Sequence, residues 1–276
     1  CTFALVSNMA TGTVQSAAHW WPPLVWTAAG VLFITSIAIE VIRSRGSQSS
    51  LPTITELDAL ADQLARAVHT QWQREDEHRK VTDPIALPVR WHAIDSDLVD
   101  HPSNIRHTPL GSKTSPLALA GRMEHIAAVY QRIPSGRLVI LGRGGAGKTV
   151  LAARLARDLL ATRSPGDRVP VIVSLASWHP ATPLRDWLAT QLVRDYPALA
   201  ARAGGPSLAA ALLAADRILP ILDGFDEINT GLHEPSLRHL NTATSMPLVL
   251  TSRPEQYTVA VRHVDVLSHA AGIELE

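Results

Sequence analysis

The chain has 276 residues, 46% of them hydrophobic, and Lys plus Arg equals Asp plus Glu at 25 each. That is enough length and apolar content for one large domain or two small ones, and it excludes a disordered chain. The balanced charge leaves no net basic field to hold nucleic acid, and none is expected as a partner; one cysteine, Cys1, excludes an internal disulfide and suits a reducing compartment.

The chain opens on Cys1 rather than methionine and is read as a piece of something longer. A lipid-modified Cys1 fits less well, because the apolar stretch would then follow the anchor instead of preceding it. Residues 20–42 carry no charge until Glu40, and at 1.5 Å per residue they reach roughly 30 Å, the thickness of a bilayer core. They are expected to form a single transmembrane helix, with Trp20, Trp21 and Trp26 near one interface. Arg43 and Arg45 follow at once, whereas residues 1–19 contain no lysine or arginine, so residues 1–19 are assigned outside and the remainder to the cytoplasm. A signal peptide would need a positive n-region, which is missing, and a buried core helix rarely stays uncharged this long.

Beyond a polar linker, Gly46 to Ser50, the pattern Thr53-x-x-Glu56 is a capping box; Leu57, Leu60, Leu64, Val68 and Trp72 then follow at spacings of three and four, predicting a helix to about Arg79. Leu87, Val89, Trp91 and Ala93 alternate with polar residues and Pro88, which predicts a short strand at a sheet edge. Residues 43–116 are thus expected to be a juxtamembrane linker and a small helix-strand adaptor, with a loop from Asp95 to Pro116. Leu119 to Glu124 is expected to open a helix ending near Pro134.

Leu138 to Leu141 then form an apolar run of strand length, followed by Gly142-Arg143-Gly144-Gly145-Ala146-Gly147-Lys148-Thr149 and a helical pattern through Leu151, Leu155 and Leu159. The spacing G-x-x-x-x-G-K-T suits a triphosphate: backbone N–H groups turn inward, the helix N-terminus adds positive charge, Lys148 reaches the β- and γ-phosphates, and the Thr149 hydroxyl goes to Mg²⁺. Further strands are predicted over 168–175, 218–223, 247–251 and 264–267, with helices through Leu184 to Leu192 and Ser207 to Ala215. The second of these strands, read on from Ile218 to Glu227, ends in acid: Asp223 is the candidate metal-side residue, and Asp226 and Glu227 are candidates to polarise the attacking water. In Leu248 to Pro254, Thr251 or Ser252 is a candidate γ-phosphate sensor, and Arg253 is a candidate contact to phosphate, to a neighbouring subunit or to a local carboxylate.

Together, Gly142 to Thr149, the Asp-Gly-Phe-Asp-Glu ending at Asp223 to Glu227, and Thr-Ser-Arg-Pro at Thr251 to Pro254 resemble a NACHT domain, of the STAND branch of P-loop ATPases. The resemblance covers residues 117–276; residues 53–95 are similar to the segment preceding such domains in membrane-anchored actinobacterial NACHT proteins. Gly121 and Arg122 are similar to an element that lies near the adenine. The resemblance implies an α/β fold with a parallel sheet flanked by helices, in which the strand of residues 247–251 lies between those of the phosphate loop and Asp223. It also implies a switch that toggles between monomer and oligomer on ATP or GTP with Mg²⁺, set by a protein or ligand trigger, in bacterial defence or stress signalling. A nucleotide-binding scaffold without significant turnover is the other reading. A transporter motor would carry an LSGGQ-like signature, and none occurs.

Overall fold

A 29-residue helix, α1 (Ile54–Thr82), opens the part of the chain that the computed structural model describes: residues 52–82, 89–109, 117–202 and 205–276. The expected span at residues 20–42 lies outside them; among the described residues no helix is long and apolar enough to cross a membrane. Thr53 N–H donates to Glu56 Oε2 at 2.8 Å and Glu56 N–H to Thr53 Oγ1 at 3.4 Å, closing the predicted capping box. Leu57, Ala61, Leu64, Ala65 and Val68 form the buried stripe of the helix.

The chain continues through β1 (Arg90–Ala93), α2 (Pro102–Arg106), β2 (Gly121–Arg122), α3 (Ile126–Gln131), β3 (Arg137–Leu141) and α4 (Lys148–Ala161). Next come β4 (Val169–Ser174), α5 (Leu184–Asp195), α6 (Leu208–Ala214), β5 (Ile218–Asp223), α7 (His233–Thr242), β6 (Leu248–Ser252), α8 (Pro254–His263) and β7 (Ala271–Leu275). The strands form one sheet in the order β2-β1-β7-β3-β6-β5-β4. As the resemblance implied, β6 lies between β3 and β5. The sheet is mixed, however: β3 to β7 run parallel, whereas β1 is antiparallel to both β2 and β7.

Alternation along each strand sends side chains to opposite faces. Leu138 and Ile140 join one core layer with Leu151 and Leu155 of α4, while Val139 and Leu141 join the other with residues of α1, α5, α7 and α8. Covering on both faces is why these strands read as continuous apolar runs. Leu151 and Leu155 are fully buried, each stabilising the docked helix by about 2 kcal/mol. The loop between β3 and α4 is therefore fixed at both ends.

Five sequence expectations need correction. The helix and strand taken for a separate adaptor belong to the same compact unit, Ser47–Glu276, as the sheet: α1 shares a core with β4 and β5, Asp58 pairs with Arg217 at 2.5 Å and Asp62 with Arg163 at 2.6 Å. β1 is an interior strand, with β2 outside it, and Pro88 lies outside the described residues. Gly121 and Arg122 do not open a helix, because the Trp91 indole packs on Gly121 and donates from Nε1 to Leu119 O at 2.7 Å, holding that segment extended. Val264 to Leu267 is not a strand: Asp265 Oδ1 accepts the Val266 N–H and the Tyr257 hydroxyl accepts that of Leu267. The last strand is β7. The loop expected after Asp95 also contains α2, while residues 110–116 lie outside the described residues.

Arg137 is fully buried at the start of β3, the end of the strand far from the loop. Its guanidinium donates to Leu240 O at 3.1 Å, Ala243 O at 2.6 Å and Met246 O at 2.9 Å. The last carbonyls of a helix lack intrahelical donors and carry partial negative charge, so a cation belongs at the end of α7. Burial lowers the arginine pKa to about 10, which leaves it charged at neutral pH. We expect Arg137→Met, which fills the space but takes the charged donor from all three carbonyls and leaves Leu240 O and Ala243 O with one backbone N–H each, to cost about 3 kcal/mol and on the order of 10 °C in melting temperature. Thermal unfolding followed by circular dichroism measures it; an unchanged transition would show that the carbonyls find other donors.

Candidate functional site

At the C-terminal end of the parallel strands, the chain leaves β3 through Gly142 to Gly147 and enters the 14-residue helix α4 at Lys148. Leu151 N–H donates to Gly147 O at 2.8 Å, continuing the helix back into the loop. The first N–H groups of a helix of this length have no intrahelical partner, and they face whatever anion lies in the loop. The Lys148 ammonium donates to Gly142 O at 2.7 Å and Arg143 O at 3.1 Å. Its remaining N–H is available to a ligand.

The acidic side is built by β5. Asp223 ends that strand; its Oδ2 accepts from Thr149 Oγ1 at 2.8 Å and its Oδ1 from Thr251 Oγ1 at 2.5 Å. The backbone then turns at Gly224, whose φ of 78° lies in the left-handed region. A side chain there would also collide with the Glu227 carboxylate, 2.9 Å from where a Cβ would sit. Phe225, fully buried between the rings of His233 at 5.4 Å and Tyr257 at 6.3 Å, anchors the turn. Burial raises the Tyr257 pKa above its ordinary value, so that ring stays neutral.

Asp226 and Glu227, alike in sequence, differ in their surroundings. The Asp226 side chain is only 7% exposed, and both oxygens are taken by Arg253: Oδ1 accepts its N–H at 3.1 Å and Oδ2 meets Nε at 2.8 Å. The Arg253 guanidinium lies over the loop, 3.6 Å from where a Cβ on Gly144 would be. Glu227 is exposed, and among the described residues its carboxylate has no hydrogen-bond or ion-pair partner.

These elements enclose a cleft of about 330 Å³. It brings together Gly144, Gly145, Gly147, Lys148 and Thr149 from the loop, Asp223, Asp226 and Glu227 from the end of β5, and Thr251 and Arg253 from the end of β6. Gly142, Arg143 and Ala146 shape the loop without lining the cleft. Gly121 and Arg122, expected near an adenine, sit on the outermost strand β2 and do not line it either. The sequence reading missed Gly224 and Val150, which do, and Phe225, whose apolar ring in the middle of an acidic turn was the available signal.

A β-strand, glycine loop and helix facing an acid-tipped strand one place further along the same parallel sheet define a P-loop nucleotide-binding domain of the α/β class. A family profile for the NACHT domain matches residues 136–269, which supports a NACHT NTPase. The match takes in β3 to β6 and leaves α1, β1, β2 and β7, which complete the sheet and its cover, outside it. No curated protein matches the chain.

Proposed function

We propose that this chain is a membrane-anchored, nucleotide-dependent signalling switch that binds ATP or GTP with Mg²⁺ and hydrolyses it slowly. The observation that carries the reading is the direct approach of Thr149 to Asp223 at 2.8 Å beside Lys148. It sets a hydroxyl and a carboxylate, two hard oxygen donors, next to the phosphate loop. Mg²⁺ is held by few protein oxygens together with substrate phosphates, and among the described residues no group of three or more His, Cys, Asp or Glu could hold a metal alone. The donor set therefore fits Mg²⁺ arriving with a nucleotide, and Thr149 and Asp223 would hold it. Bound there, the ion neutralises charge on the phosphates. Lys148 and the loop N–H groups bind and orient those phosphates, and Glu227 is the acid free to take a proton from water.

A scaffold without turnover is the second reading, favoured by the engagement of both Asp226 oxygens with Arg253. Release of inorganic phosphate from ATP and GTP separates the two: slow, Mg²⁺-dependent release supports the switch, and nucleotide binding with no release supports the scaffold. Self-association on binding, a protein or ligand trigger, and an output in defence or stress signalling follow from the family resemblance.

The anchor rests on residues 20–42, with Arg43 and Arg45 against a flank lacking lysine and arginine. Protease added to sealed, right-side-out membranes is expected to leave the nucleotide-binding domain intact. Its digestion would reverse the orientation, and recovery of the whole chain in the soluble fraction would remove the span.

A further inference from the structure

Thr251 is fully buried, and its hydroxyl joins two strands where they reach the cleft. Oγ1 donates to Asp223 Oδ1 at 2.5 Å and accepts the Gly224 N–H at 2.9 Å. Chemistry fixes the direction of both bonds. A backbone N–H can only donate, so the hydroxyl must accept there, and its single proton goes to the carboxylate. Phosphate oxygens facing the cleft need donors. With its proton committed to Asp223, Thr251 has none for a γ-phosphate, contrary to the sensor role that its place in the sequence suggests.

The same bonds give the residue another task. Backbone pairing between β5 and β6 ends at Leu222 and Leu250, one residue short of Asp223, and the chain then turns away at Gly224. The Thr251 side chain carries the link between the strands one step further. It ties the N–H of the turn and the acid at the strand end to a single buried atom. The other Asp223 oxygen is held only by Thr149, an exposed residue. The buried hydroxyl is therefore the more rigid of the two supports for this carboxylate. Removing it leaves the Gly224 N–H unsatisfied and lets the Asp223 carboxylate rotate.

We infer that Thr251 is a positioning residue: it fixes the Asp223 carboxylate for the divalent cation that accompanies the nucleotide, and it does not itself touch phosphate. The inference rests on the reading of the cleft as a Mg²⁺-nucleotide site, and it separates two affinities. Loop contacts to phosphate do not pass through Thr251, so binding without metal is independent of it. The contribution of Mg²⁺ to binding depends on it.

The test titrates a fluorescent ATP analogue into the full chain in EDTA and at rising Mg²⁺, with a thermal melt of each protein. Losing a hydrogen-bond partner behind a metal ligand weakens metal affinity on the order of tenfold or more, so Thr251→Val is expected to need about tenfold more Mg²⁺ while its affinity in EDTA stays within about twofold of the parent. Thr251→Ser, which keeps the hydroxyl, is expected to restore the Mg²⁺ dependence. Thr251→Ala is the second variant should valine, whose extra methyl faces the Gly224 N–H, prevent folding. An unchanged Mg²⁺ dependence in the folded valine or alanine variant would overturn the inference. So would an equal loss in EDTA and in Mg²⁺, since the hydroxyl would then contact the phosphates directly. A parent protein that binds nucleotide in neither buffer overturns the site reading itself, which distinguishes that failure from a failure of Thr251 alone.

Discussion

Lys148→Ala is expected to lose nucleotide affinity by on the order of 10²-fold, a loss equivalent to about two charge-assisted hydrogen bonds. Its ammonium sits at the floor of the loop on Gly142 O and Arg143 O, so the charge is already placed where the loop N–H groups converge. A phosphate entering there exchanges water for a fixed cation and a helix N-terminus together, and removing the cation leaves only the weaker dipolar part. The melting temperature is expected to stay near that of the parent, because Lys148 is not fully buried and its partner at Arg143 is exposed. Calorimetric titration with ATP and with GTP measures the first quantity and thermal unfolding the second. An affinity equal to the parent's would refute the role of the loop. A collapse in melting temperature would make Lys148 a structural brace of the loop instead.

What the sequence made legible follows from how each element announces itself. The loop is visible because glycines, lysine and threonine at fixed spacing interrupt an apolar strand and precede a 3.6-residue period. The strand of Asp223 is visible because burial on both faces demands an unbroken apolar run. β7 was missed because Ala271 and Gly272 have low strand propensity. Gly272 is there for packing: a Cβ at that position would lie 2.5 Å from Ile94 Cδ1, a contact between segments far apart in sequence. α7 hides its apolar face in two leucines, Leu237 and Leu240, between histidines and a proline. α8 carries a usable signal, Pro254 at its first turn, which in the sequence stands at the end of an apolar strand. Arg137 resembles a solvated flank until α7 closes over it. In the site, the identity of the acids was legible. Their division of labour was not, because Arg253 reaches Asp226 across 27 residues.

That division sets the remaining prediction. A general base needs an oxygen free to take a proton, within reach of water in the cleft. Asp226 has both oxygens on Arg253 and is nearly buried, so using it would first require breaking a charge-assisted contact to Nε or a hydrogen bond from the backbone N–H. Glu227 lines the same cleft, is exposed, and has no competing partner among the described residues. We therefore expect Glu227→Gln to bind Mg²⁺-ATP like the parent and to slow single-turnover hydrolysis by roughly 10²-fold, the scale for losing a general base. Asp226→Asn keeps an oxygen for the Arg253 N–H and loses the charge that holds the guanidinium over Gly144, so its main effect falls on nucleotide affinity. Measuring rate and affinity in both variants separates the roles. A parental rate in Glu227→Gln with a hundredfold loss in Asp226→Asn would exchange them, and Arg253 would then be the group that must move before the reaction. Parental rates in both would leave the cleft a binding site whose acids only shape the turn.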